Sequence, residues 1–250
     1  MSSLAISGIV FGCIFGGTLL GMLVRAFLPA HHLGTDSKDV VKLGMGLIAT
    51  MSALVLGLLI ASAKSSFDAR SNELTQMSAN VIFFDRTLAR YGPETKEIRE
   101  LLRASVVSAL ERIWPKDNSS PGKVEGTASS EAIFDKVLEL SPQSEAQRTR
   151  QAQALKIATD VAQMRWLLFA QSGSAIPTPF LVVLIFWLTI LFVSFSLFAH
   201  PNLTVVITLL VCALSVTGAI FLILELDRPF AGLIQISSEP LRHALEQLGR

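Results

Sequence analysis

Residues 43–63 run for 21 positions without a charge, and about 20 apolar residues are enough to carry a helix across a bilayer core. No breaker follows the run. From Lys64 the spacing stays helical, with Phe67, Leu74, Val81 and Leu88 seven apart and Met77, Phe84 and Tyr91 in the gaps. This is an a/d seam broken at Arg70, the pattern of a helix that packs on partners. Gly92-Pro93 ends it, a C-cap glycine followed by a residue that cannot continue a helix. The spacing predicts one rod over 41–91, about 75 Å long at 1.5 Å per residue. That is far longer than a membrane is thick, so the rod suits coupling a domain in water to a path in the bilayer.

The rest of the composition agrees with a bilayer. Half of the chain (51%) is hydrophobic and the mean hydropathy is +0.53, both membrane-class values. A net charge of +1 gives no reason to expect nucleic acid. Cys13 and Cys212 both lie in apolar stretches, where they read as small hydrophobes rather than a disulfide framework.

The expected fold is an all-α integral membrane protein, with four transmembrane helices and a helical cytosolic domain inserted between the second and third. The first span covers 4–28; it lacks the charged start and short apolar core of a signal peptide and reads as retained. Its Gly17-x-x-x-Gly21 spacing allows close helix contact. Residues 29–42 read as a loop, with Asp36 or Ser37 as N-cap of the second span, 41–63. His31 and His32 sit in that loop near two aspartates; they read as headgroup-level side chains rather than a metal pair. The insert, 64–176, holds 15 Lys+Arg and 14 Asp+Glu. After the rod it contains an amphipathic helix over 94–114, through Ile98, Leu102, Val106, Leu110 and Ile113. A polar Gly/Pro/Ser-rich loop over 115–129 and a short helix over 130–140 follow. A helix starting at Pro142 places Leu155, Ala158, Ala162, Trp166 and Phe169 together. The third span is 177–199, His200-Pro201-Asn202 a turn, and the fourth span 204–226. The interfacial tail, 227–250, has a short helix opened by Ser238-Glu239-Pro240, with Leu241, Leu245 and Leu248 on one face.

Four spans put both termini and the insert on one side of the membrane. Lys64, Arg70, Arg165, Arg228 and Arg242 flank the spans on that side, against Arg25, Lys38 and Lys42 on the other. The positive-inside rule makes the five-cation side cytoplasmic.

Nothing in the chain assembles a catalytic set: the four histidines show no metal-ligand spacing, and no nucleophile elbow or phosphate loop occurs. The expectation is a protein that is not an enzyme and has no cofactor or metal. Between their interfacial ends the spans contain no Asp, Glu, Lys, Arg or His. Pumps and proton-coupled carriers use such groups as relays, so passive conduction fits better. The second span carries one face of small residues, Gly46, Thr50, Ala53, Gly57 and Ala61, with Lys42 and Lys64 continuing it at the two ends. Small residues of this kind serve either close helix packing or a narrow pore wall with a lysine ring at each mouth. Glu225, Asp227 and Arg228, at the exit of the fourth span, read as an interfacial ion pair or as an effector site.

Two stretches carry a family resemblance. HHLGTDSKDVVKLGMGLIATMSALVLGLLIASAKSSFD, beginning at His31, and ELDRPFAGLIQISSEPL, beginning at Glu225, resemble a bacterial family called bestrophin-like, and the layout matches throughout. Through that family the chain is similar to bestrophins, pentameric ion channels in which the second of four spans lines the pore. The resemblance implies a homo-oligomeric channel, pentameric by analogy, in a bacterial inner membrane. It is expected to be multi-pass, with termini and large domain cytoplasmic and the lipid bilayer as its surroundings. On the residues above, the path is expected to run along Lys42, Gly46, Thr50, Ala53, Gly57, Ala61 and Lys64, with a lean to anions. Two departures stand out: residues 43–63 include no aromatic, and the acidic calcium clasp of bestrophins is reduced to Glu225 and Asp227. The rival readings are a non-conducting membrane scaffold or sensor, and a stator-like component of an ion-driven complex.

Overall fold

The second helix, α2, runs unbroken from Thr35 to Tyr91, 57 residues. It belongs to a computed structural model that describes residues 2–27, 35–115, 128–170, 178–199 and 202–249, with backbone alone at 35–38, 128–130 and 169. The continuous rod read from sequence is therefore present, and it starts earlier than expected. Asp36 and Ser37 lie inside its first turn rather than at the cap, and 35–42 is helix rather than loop. Acidic residues at 36 and 39 favour this start, because carboxylates stabilise the positive end of the helix dipole. The rod stops at Gly92, whose φ of 152° is one that side-chain-bearing residues rarely adopt. His31, His32 and the turn at His200 and Pro201 lie outside the described residues.

The other helices are α1 (Ser3–Phe27), α3 (Lys96–Ile113), α4 (Ala128–Leu138), α5 (Glu145–Ala170), α6 (Thr178–Phe198), α7 (Leu203–Leu226) and α8 (Glu239–Gln247), and no strand occurs among the described residues. Among the described residues four helices, α1, α2, α6 and α7, are long and apolar enough to cross a membrane. The chain divides into two compact units, Met1–Ser66 with Ala175–Asp227 and Phe67–Ser174 with Arg228–Arg250.

In the first unit the core joins Val10 and Ile14 of α1, Leu59 and Ala63 of α2, Leu184, Leu188 and Phe192 of α6, and Leu209, Ala213, Ile220 and Ile223 of α7. Lipid offers helices no hydrophobic drive to associate, so close van der Waals packing has to hold them together. Gly17 and Gly21 allow it. A Cβ at Gly17 would lie 3.0 Å from Thr189 Cγ2, and one at Gly21 would overlap Ser196 Oγ and lie 2.5 Å from the Val193 carbonyl oxygen. Arg25 donates to the carbonyls of Leu197 and Ala199, satisfying the open C-terminal end of α6. Asn202 caps α7, its side-chain oxygen accepting from the Val205 amide at 2.9 Å.

In the second unit Leu74, Met77, Val81, Phe84, Leu88 and Tyr91 are buried as the heptad spacing requires. Arg70 is buried too, so the seam passes through the position that breaks its apolar pattern. α3 buries Ile98, Leu102, Val106 and Ile113. α5 starts at Glu145, not Pro142, because the Ser144 hydroxyl accepts from the Gln147 amide and so caps the helix three residues later. Its packed face is also rotated from the expected one: Ala154, Ile157 and Leu168 are buried, whereas Trp166 is 55% exposed. Of the expected stripe, Leu155 and Ala158 are half-buried against the core; the Phe169 side chain lies outside the described residues. Leu241 and Leu248, at and beyond α8, are buried and Leu245 packs beside them. The buried carboxylate of Asp85 takes a two-pronged bond from Arg99 at 2.8 and 2.9 Å and a third from the Gly249 amide at 3.3 Å. The Arg99 guanidinium is held above its ordinary range mainly by that hydrogen bond.

Candidate functional site

The seven residues that the sequence aligns along the second span all belong to the first unit and all are exposed: Lys42, Gly46, Thr50, Ala53, Gly57, Ala61 and Lys64. The buried positions of the same segment are Met45, Ser52, Leu59 and Ala63. At 3.6 residues per turn the two sets are centred about 120° apart around the helix. Periodicity finds both stripes but cannot say which one meets the bundle. Packing decides it: Leu59 and Ala63 join the core shared with α1, α6 and α7, and the small face does not.

That exposed face is open as well as narrow-chained. A Cβ added at Gly46 or Gly57 would meet nothing within 4 Å, unlike one at Gly17 or Gly21. Among the described residues of one chain, then, the small face of α2 makes no close helix–helix contact at its glycines. The Thr50 hydroxyl donates to the Gly46 carbonyl at 2.8 Å, so its proton is held on the helix and its oxygen lone pairs face outward. Lys42 lies 3.4 Å from Asp39 in an exposed pair; such pairs are weak and readily screened. Exposed leucines flank the small face, Leu43 at 78% and Leu54 at 69% among them.

Glu225 and Asp227 end α7 in the same unit. Glu225 is buried and Asp227 half-buried, with the Asp227 amide closing the helix on the Ile223 carbonyl at 3.2 Å. Arg228, exposed, opens the following segment in the second unit, where its carbonyl accepts from Ala231. Among the described residues, no group of three or more His, Cys, Asp or Glu is placed to hold a metal ion.

The comparisons with known proteins agree with this architecture. A family model described as the bestrophin-like domain matches residues 12–241. Two crystal structures of a bacterial bestrophin homologue from Klebsiella pneumoniae, each with a point mutation, share the fold. One has a TM-score of 0.70 at 14% identity, covering 100% of this chain and 99% of its own. The other has a TM-score of 0.70 at 13% identity, covering 97% and 98%. No curated protein matches the chain.

Proposed function

This chain belongs to the bestrophin-like family, and from that premise we propose that it forms a homo-oligomeric ion channel whose permeation path runs along the small-residue face of α2. The observation that carries the reading is the exposure of all seven residues of that face, in a helix that meets the bundle core through Leu59 and Ala63 on another side. Around a symmetry axis such faces would line a narrow channel, and the flanking leucines would meet lipid or the neighbouring subunit. Five copies follow from analogy with bestrophins. The lysines at the two ends give a lean to anions, since cationic rings at pore mouths favour them. Asp39 offsets part of that charge at Lys42, and Thr50 presents an acceptor rather than a donor, so the lean is small and rests on the two lysine rings alone.

Purified protein reconstituted in liposomes is expected to pass small ions. Lys42→Glu with Lys64→Glu should move the reversal potential towards cations. Sealed liposomes with intact oligomers would favour a non-conducting scaffold or sensor; flux that appears only with a second protein would favour the stator-like reading. An unmoved reversal potential in the double variant would remove the lysines from the path.

We place the protein in a bacterial inner membrane with the insert and both termini cytoplasmic, on the excess of flanking cations. A topology reporter fused after Asn118 and another at the C-terminus are both expected to report from the cytoplasm. A periplasmic signal from either reverses the orientation.

A further inference from the structure

Within the second unit the segment that follows Asp227 is pinned at Ile236. The Ile236 carbonyl accepts from the Trp114 indole N–H at 3.0 Å, and its amide donates to the Pro229 carbonyl at 2.8 Å. Beyond that pin, residues 237–249 carry α8 back over α2 and α3. Leu241 and Leu248 are buried and share a core with Phe84 and Leu88 of α2 and Ile98 and Leu102 of α3.

Past α8 the helical unit reads main chain. Arg103 donates to the Leu248 carbonyl at 3.2 Å, and the Gly249 amide donates to the Asp85 carboxylate at 3.3 Å. These are the two polar halves of one peptide group, and the Leu248 side chain beside it is buried. Arg86 adds a bond to the Gln247 side chain at 3.4 Å. All three bonds lie at or beyond the long end of the usual range. The receptor is tighter than its occupant: Asp85, itself buried, is held by Arg99 of α3 through two bonds of 2.8 and 2.9 Å. Neither bond involves 237–249, and two-pronged charged pairs of this kind are strong.

We propose that residues 237–249 are a strap that docks on the α2–α3 surface and leaves it as one unit, with Asp85 and Arg103 as its catch. At nine residues, and with no side-chain cap from Ser238, α8 is too short to stay helical alone, since isolated helices below about 12 residues are marginal. Its folding and its docking are therefore one step, and the strap opens below the free energy of global unfolding. The Asp85–Arg99 pair stays behind as a preformed peptide subsite that takes an extended Leu-Gly segment. Release gives the helical unit two states, which a peptide competing for the groove can bias. The device does not depend on where ions pass.

The test uses the full chain in lipid nanodiscs. In amide hydrogen exchange the 240–249 amides are expected to exchange together, faster than the buried amides of α3. Arg103→Met, which keeps the apolar stem and loses the donors, should speed them about tenfold, and Leu248→Ala more, with α3 unchanged in both. A fluorescent peptide of residues 237–250 should then bind the Leu248→Ala chain at one site. It should bind the wild-type chain, whose own strap fills the groove, at least about tenfold more weakly. N-methylglycine at position 249 of the peptide, which lacks the N–H that Asp85 accepts, should weaken binding about tenfold. Exchange of 240–249 at the rate of α3, or variants that speed α3 as much as the strap, would make the segment ordinary core and overturn the proposal. So would a peptide that does not bind the Leu248→Ala chain, binds the wild-type chain as tightly, or tolerates N-methylglycine.

Discussion

Gly21→Leu is expected to leave no stable first unit, and Gly21→Ala to lower its melting temperature in detergent by an amount that is easily measured. The first atom of any side chain at this position would overlap Ser196 Oγ and stand 2.5 Å from the Val193 carbonyl oxygen. The hydroxyl can rotate away; the carbonyl is backbone and moves only with α6. The helices must then separate, and with them the shared core of Val10, Ile14, Leu188 and Phe192. Overpacking of a well-filled core costs about 1–3 kcal/mol, and Gly21→Ala should fall at the upper end. Gly12 and Gly16 lie in the same helix with nothing within 4 Å of a built Cβ. Gly12→Ala is the matched control and should leave the melting temperature unchanged. Equal losses at Gly12 and Gly21 would mean that helix conformation, rather than contact with α6, sets the requirement for glycine.

The contrast between those glycines marks how much could be read from sequence. Hydropathy located the four long apolar helices, and heptad spacing located the rod, since both depend on residues near in the chain. Gly17-x-x-x-Gly21 was visible as a spacing, but the glycine-rich first span also offers Gly8, Gly12 and Gly16. Only the approach of α6 separates the two that matter. In the same way the small face of α2 was visible, yet its exposure depends on where α1, α6 and α7 lie. The packed face of α5 differs from the expected one for a related reason. Leu155, Ala158, Ala162 and Trp166 make an apolar stripe, but the neighbouring one through Ala154, Ile157 and Leu168 is the one buried, and periodicity cannot tell which of two adjacent stripes meets the core. Asp85 and Arg99 gave no signal at all, because an acid and a base a full helix apart look like solvated charges until the chain turns back on itself at Gly92.

Bulk on the small face of α2 should close the path without harming the protein. Ala53 and Gly57 are exposed in the single chain, and a Cβ at Gly57 meets nothing within 4 Å, so neither Ala53→Leu nor Gly57→Leu disturbs the bundle of its own subunit. If copies of this face surround the axis, each subunit adds one isobutyl group to the same constriction, and a hydrophobic ring there also favours dewetting. A rise of only about 1.4 kcal/mol in the barrier reduces flux tenfold, so the expected fall in liposome flux is at least of that order, with oligomer size and melting temperature unchanged. Leu54→Ala, on the neighbouring exposed stripe, removes bulk that does not face the path and should leave flux near the wild-type value. The two outcomes separate the rival uses of the small face. If it were a close contact between subunits, Gly57→Leu would break the oligomer before it blocked ions. If it faced lipid, neither assembly nor flux would change, and the path would have to run along another helix.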